Sequence, residues 1–201
     1  NGGYAFGERL LVKELAAETG ASRQPIMSAL NRLSADGFVR IIPQVGCQVI
    51  NPSADEIADF FLLFQRLEGV LAELASKRRT PDELRALKAA QRRIMEHEAA
   101  PDRSAKTYAE LNQEFHHAIH IMAHSALLTE KQRSHFNMSD FFISHSAGFG
   151  SFMSDAAREH EKIIDAIERQ QPERARLEAE SHIAAVASNV LSGLGRKKTK
   201  R

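Results

Sequence analysis

The chain contains one cysteine, Cys47, and no tryptophan, and only 6% of its 201 residues are aromatic. A single cysteine excludes a disulfide within the chain. It makes a reducing compartment the default, so a cytoplasmic location is expected. With few aromatic rings, a core must come from Leu, Ile, Val, Ala and Phe, which suits packed helices. No apolar run approaches the roughly 18 residues of a membrane span, so no membrane partner is expected. No basic-then-apolar leader opens the chain, and its first residue is Asn, so a natural N-terminus lying further upstream is expected. Strong net charge is lacking too. The total is +1, and the tail residues Arg196, Lys197, Lys198, Lys200 and Arg201 leave the rest of the chain at −4. Overall basicity therefore gives no argument for nucleic acid, and any such case must rest on local placement.

What is present begins with "LLVKELAAETG", a short helical pattern with Leu11 and Leu15 that stops at Gly20. Glycine suits the position after a helix because it tolerates positive φ. Ser22 is then a good N-cap, and Pro25 falls in the first turn of a second helix, where its missing N–H costs nothing. Ile26, Leu30 and Leu33 predict one apolar face, and Gly37 ends the helix. "FVRIIPQVGCQVI" reads as two short strands joined by a loop around Pro43 to Gly46. After Pro52, Ser53 and Asp55 the pattern is helical to Leu194, with breaks near Thr80-Pro81, Pro101-Asp102, Ser125, Gly148–Gly150 and Gln171-Pro172. The fold class is mainly α. A winged helix-turn-helix is expected over residues 1–51 and an antiparallel helical bundle over 52–195. Residues 196–201 read as a basic, solvated tail, with a nucleic-acid arm as the alternative.

In a winged helix the second helix enters the DNA major groove N-terminus first. That places Ser22, Arg23 and Gln24 where side chains meet phosphates and base edges: Arg can fork onto guanine, and Gln can pair with adenine. Gly46 would let a wing backbone lie close to DNA. The alternative is a small helical cap with a hairpin, in which Arg23 and Arg32 are merely solvated.

The segment "FGERLLVKELAAETGASRQPIMSALNRLSADGFVRIIPQVGCQV" resembles the DNA-binding domain of the GntR family of bacterial transcription regulators. The likeness rests on Gly7, Arg9 and Leu10; on Leu15 and Ala16; and on Gly20, Ser22, Arg23, Pro25 and Ile26. It continues through Ala29, Leu30, Arg32 and Leu33, then Gly37, Phe38 and Val39, with a wing at Pro43 and Gly46. The resemblance implies DNA contacts from Lys13, Ser22, Arg23, Gln24, Arg32 and Gly46. Met27 and Ser28 stand where the family usually has Arg-Glu, so a divergent operator is implied.

Nine histidines are many for this length. "ELNQEFHHAIHIMAH" spaces Asn112, His116, His120 and His124 at i, i+4 steps on one predicted helix face, with His160 and His182 on later helices. Such histidines are commonly polar-face or core-edge residues. Imidazoles from three helices also suit a divalent metal. "LNQEFHHAI" and "EHEKIIDAIERQQPERARLEAESHI" resemble the FCD ligand-binding domain of FadR-type GntR regulators. That resemblance implies a divalent ion (Zn, Ni or Mn) held by His116, His160 and His182, with Asn112 in the place of the family's aspartate.

The resemblance also implies a small effector, an organic or sugar acid, beside Phe64, Arg66 and His120. Phe64 occupies a frequent arginine position, with Leu67 and Glu68 following as in the family. Without the aspartate the ion's charge is expected to stand uncompensated and to draw a carboxylate effector, with His120 as a reserve ligand. A homodimer binding double-stranded operator DNA is implied. The rivals are a metal-dependent enzyme and a helical protein that no longer binds metal. The enzyme would need a general base at the ion, and Glu114 and Glu159 are expected to point away.

Overall fold

The computed structural model describes residues 3–42, 46–101, 104–146, 148 and 153–199, without the side chains of 153–154 and 197–199. The chain divides into two compact units, Asn1–Asp55 and Glu56–Arg201.

In the first unit, β1 (Arg9–Leu10) is followed by α1 (Val12–Thr19), α2 (Arg23–Ala35), β2 (Val39–Ile42) and β3 (Gly46–Val49). Gly20 ends α1 at φ 69°, its N–H on the Ala16 carbonyl. Ser22 takes the extended N-cap conformation of α2, although its hydroxyl makes no capping bond. The sheet order is β1-β3-β2, antiparallel throughout, with Leu10 and Ile41 both opposite Cys47. Strand β1 is unexpected from the sequence, being too short for any periodicity. The Gln48 side chain donates to the Gly7 carbonyl at 2.7 Å, and the Gly7 N–H reaches Val49. Ile26 and Leu30 of α2 are buried, as are Leu10, Val39, Cys47 and Val49 of the sheet. Leu33, expected on the same apolar face, is 40% exposed. The wing turn, including Pro43, lies outside the described residues.

The second unit continues α3 (Ala54–Arg78) and adds α4 (Pro81–Ala99), α5 (Ala105–Met122), α6 (Ala126–His145), α7 (Met153–Glu168) and α8 (Pro172–Thr199). Helix α4 starts on a capping box, with Thr80 accepting from the Glu83 N–H and the Glu83 carboxylate accepting from the Thr80 N–H. Arg79 donates to the carbonyls of Ile167 and Glu168 at the end of α7, and Arg78 to Ala123 just past α5. Leu87, Ile94, Phe115, Ile119, Met122, Ile163 and Ile167 form the closed core. Each stabilises the fold by about 1.5–3 kcal/mol relative to exposure. A Cβ at Gly69 would lie 2.6 Å from Glu180 Cγ, so α8 crosses α3 at close range beside Glu68. The backbone of α8 stays helical through Thr199, so helix runs into the segment expected as a basic tail, where Arg196 is exposed.

Candidate metal and ligand site

His116 projects from α5, His160 from α7 and His182 from α8. All three are buried, and one ring nitrogen of each lies within 4.8 Å of the others. The rings pack on one another, with centroids 5.2 Å apart for His116–His182 and 4.8 Å for His160–His182. His160 is also stacked on Phe115 at 4.0 Å.

What orients each ring is a partner on its back nitrogen. The Nδ1–H of His116 donates to Glu68 Oε1 at 2.8 Å, that of His160 to Gln91 Oε1 at 3.2 Å, and that of His182 to Glu159 Oε2 at 2.8 Å. Donation from Nδ1 leaves the lone pair on Nε2. The Nε2 atoms of His116 and His160 are buried without a hydrogen-bond partner among the described residues. Buried polar atoms of this kind call for a ligand, and neutral imidazoles backed by carboxylate or amide oxygens are the usual donor set for a divalent transition ion. The residues therefore fit such an ion. Burial lowers the His116 pKa to about 4 against the opposing pull of Glu68, and burial with the neighbouring imidazoles lowers His160 well below its ordinary value. Both rings are consequently neutral near pH 7, the state that coordinates.

Burial alone would raise the pKa of Glu68. The charge of His120 and hydrogen bonds from His116 and His120 outweigh it and hold the carboxyl well below the usual carboxylate range. Gln132 Nε2 adds a third donor at 2.6 Å. Glu68 and Glu159 overturn two sequence expectations. Glu159, the residue before His160 on α7, does not point away from the ligand set, because its carboxylate accepts from the back nitrogen of His182 on α8. An ion here would also not stand with its charge uncompensated, because two carboxylates lie directly behind its imidazoles.

Other expected residues fall elsewhere. His120 is buried, but its Nε2–H is spent on Glu68 Oε2 at 2.8 Å, so it is not a reserve ligand. It lines a separate groove between α5 and α6, with His117 and Arg133. His124 lies beyond the end of α5 at φ 47° and pairs with Glu83, so it leaves the predicted face. Arg66 is exposed and paired with Glu180 on the outside of α3, away from the interior pocket.

That pocket lies beside the histidines and is lined by Phe64, Tyr108, Asn112, His116, His182 and Asp140, among others. Asn112 is thus next to the trio, on the turn of α5 before His116. Asp140, from α6, was missed by sequence reasoning; no spacing marks it within "FNMSDFFISH". It accepts a hydrogen bond from Gln113, and burial raises its pKa to about 6.

In the first unit, Ser22, Arg23, Gln24, Ser28 and Arg32 lie exposed at the cap or along α2, and Lys13 is exposed on α1. Met27 is half-buried. Gly46 opens β3 at φ 130°.

Residues 59–185 match the FCD domain, and residues 1–49 match the gntR family of bacterial regulatory proteins. The "Nta operon transcriptional regulator" of Aminobacter aminovorans is 30% identical over 128 residues, which cover 64% of this chain and 60% of that relative. The "Probable D-xylose utilization operon transcriptional repressor" of Paenarthrobacter nicotinovorans is 26% identical over 186 residues, 92% of this chain and 80% of that one. Among solved structures, E. coli McbR/YncC superposes with a TM-score of 0.77 at 18% identity, covering 95% of this chain and 90% of that one. No helix of the described residues is long and apolar enough to cross a membrane. With a winged helix matched at one end and an FCD domain over most of the remainder, the chain belongs to the GntR family of DNA-binding transcription regulators.

Proposed function

We propose that this chain is a homodimeric, effector-controlled regulator that binds double-stranded operator DNA through α2 and the wing. His116, His160 and His182, with Asn112 beside them, hold one divalent transition ion in the bundle. A small acid binds against that ion in the interior pocket. The observation that carries this reading is the convergence of three buried imidazoles whose back nitrogens are occupied and whose Nε2 atoms include two without partners. The ion supplies a Lewis-acidic anchor for the effector's oxygen; Glu68, Gln91 and Glu159 fix the tautomers that receive it. These oxygens are engaged with the histidines, so the arrangement favours a sensor over an enzyme. Dimerisation is supported by exposed apolar residues on the helical unit: Leu63 is 58% exposed, and Val70 and Leu177 are also solvent-facing. Effector binding controls DNA affinity only through unequal affinity for two arrangements of the dimer.

The test has two arms. Protein purified without a His-tag and without chelator is analysed for metal. Its binding to the DNA upstream of its own reading frame is then followed by fluorescence anisotropy while metabolites are added. Metal at one ion per chain, with release from DNA by a small acid, is the expected result. Metal-free protein that takes up neither Zn nor Ni would leave the histidines as direct hydrogen-bond partners of the effector.

A further inference from the structure

We propose that the interior pocket selects a short zwitterion, an amino acid whose carboxylate end faces the histidine trio and whose ammonium end is held by Asp140. This rests on the reading of the pocket as an effector site.

Three observations point the same way. First, among the described residues no lysine or arginine lines the pocket. Phe64 fills one wall, and Arg66 is committed to Glu180 outside. Second, Glu68 and Glu159 sit behind the histidines, so their negative charges offset part of the charge of a divalent ion, although Glu68 is shared with His120. One effector carboxylate can be accommodated at the ion. A second anionic group finds no positive partner in the lining. Third, the lining already contains a carboxylate. Asp140 receives one hydrogen bond from the neutral amide of Gln113, and among the described residues it has no ion pair with Lys, Arg or His.

A half-buried carboxylate with a single neutral donor is incompletely compensated. Burial raises its pKa to about 6, the direction expected of such a group, yet it is still largely ionised at neutral pH. A dicarboxylic acid would bring like charge against it. A hydroxyl would satisfy its lone pairs and leave its charge standing. An ammonium group supplies both donors and charge, and charge-assisted hydrogen bonds are about twice as strong as neutral ones.

The measurement is calorimetric titration of the Zn-loaded full chain. The panel is α- and ω-amino acids of two to six carbons, each with its hydroxy-acid and dicarboxylate counterparts of equal chain length. At least one amino acid is expected to bind about tenfold or more tightly than both counterparts. That advantage should vanish in Asp140→Asn. Circular dichroism and the visible spectrum of the Co-substituted protein should be unchanged in this variant, which separates loss of the ammonium partner from loss of the fold. A hydroxy acid or dicarboxylate that binds as well as its amino counterpart overturns the proposal, as does an amino-acid preference that survives in Asp140→Asn. Either result leaves the effector pocket standing. If no panel member binds while the metal is present, the effector reading falls, and this inference with it.

Discussion

One carboxylate, Glu68, is shared by two imidazoles one helical turn apart: its Oε1 accepts from His116 and its Oε2 from His120, each at 2.8 Å. Only His116 belongs to the converging trio. Glu68→Gln replaces one acceptor oxygen with a donor and should weaken Zn or Co binding by about 10–100-fold. Glu159→Gln should act in the same direction through His182. Competition titration against a chromophoric chelator checks both; unchanged affinity would mean that the carboxylates do not align the ligands.

Asn112→Asp should tighten ion binding, because it adds an anionic donor on the turn before His116. The same titration reads it. The added charge should also weaken any anionic effector, so tighter metal with tighter dicarboxylate binding would contradict the pocket electrostatics described above.

The metal-free protein should lose stability as pH falls from about 6.5 towards 4. The folded-state pKa of His116 is lowered from 6.5 to about 4, and that of His160 is lowered well below its ordinary value, so the unfolded chain binds more protons in that window. Stability must then decline with falling pH, by about 3 kcal/mol from His116 alone. Asp140 opposes this. Its folded pKa is raised from 3.8 to about 6, so the native state gains a proton first and recovers part of the loss below pH 6. Thermal unfolding in chelator should show a falling Tm from pH 7 to 5, steeper in Asp140→Asn. A flat or rising Tm would count against the buried neutral imidazoles.

At the DNA-binding end, Arg23→Ala should cost about 1–3 kcal/mol of operator affinity if the guanidinium reads a base pair. Met27→Arg should tighten binding or change the preferred sequence, because the half-buried Met27 sits one turn along the exposed edge of α2. Anisotropy titrations at fixed salt measure both. If Met27→Arg moves neither affinity nor preference, α2 docks in another way.

Residues 53–195 expressed alone should sediment as a dimer at micromolar concentration. The apolar side chains left in solvent on α3 and α8 belong to this unit, and the small winged helix has little apolar surface to spare after forming its own core. A monomer would place the dimer contact in residues 1–52.

The helices and their ends were legible because their signals are local: Gly20 after α1, Ser22 and Pro25 at α2, the Thr80–Glu83 box at α4. The histidine trio was legible through spacing together with family resemblance. Its supports were not. Glu68 meets His116 across 48 residues and Gln91 meets His160 across 69, and no periodicity records such pairings. The same holds for Asp140, which reads as one polar residue among aromatics until α6 folds against α5. His120 and His116 share a helix face, as the i, i+4 spacing requires. What the spacing could not say is that a carboxylate lies between their ring nitrogens and turns one towards the metal site and the other away from it.

Gln91 has a consequence of another kind. Its Nε2 donates to the Ala157 carbonyl at 2.9 Å, which fixes which way the amide faces and so obliges Oε1 to accept from His160. The backbone of α7 thereby dictates, through an amide borrowed from α4, where the proton sits on an imidazole that α7 itself carries. Sliding α4 along α7 by a fraction of a turn would withdraw that instruction without displacing the ring. The third ligand is thus a mechanical gauge of helix register, whereas the other two are anchored by charge.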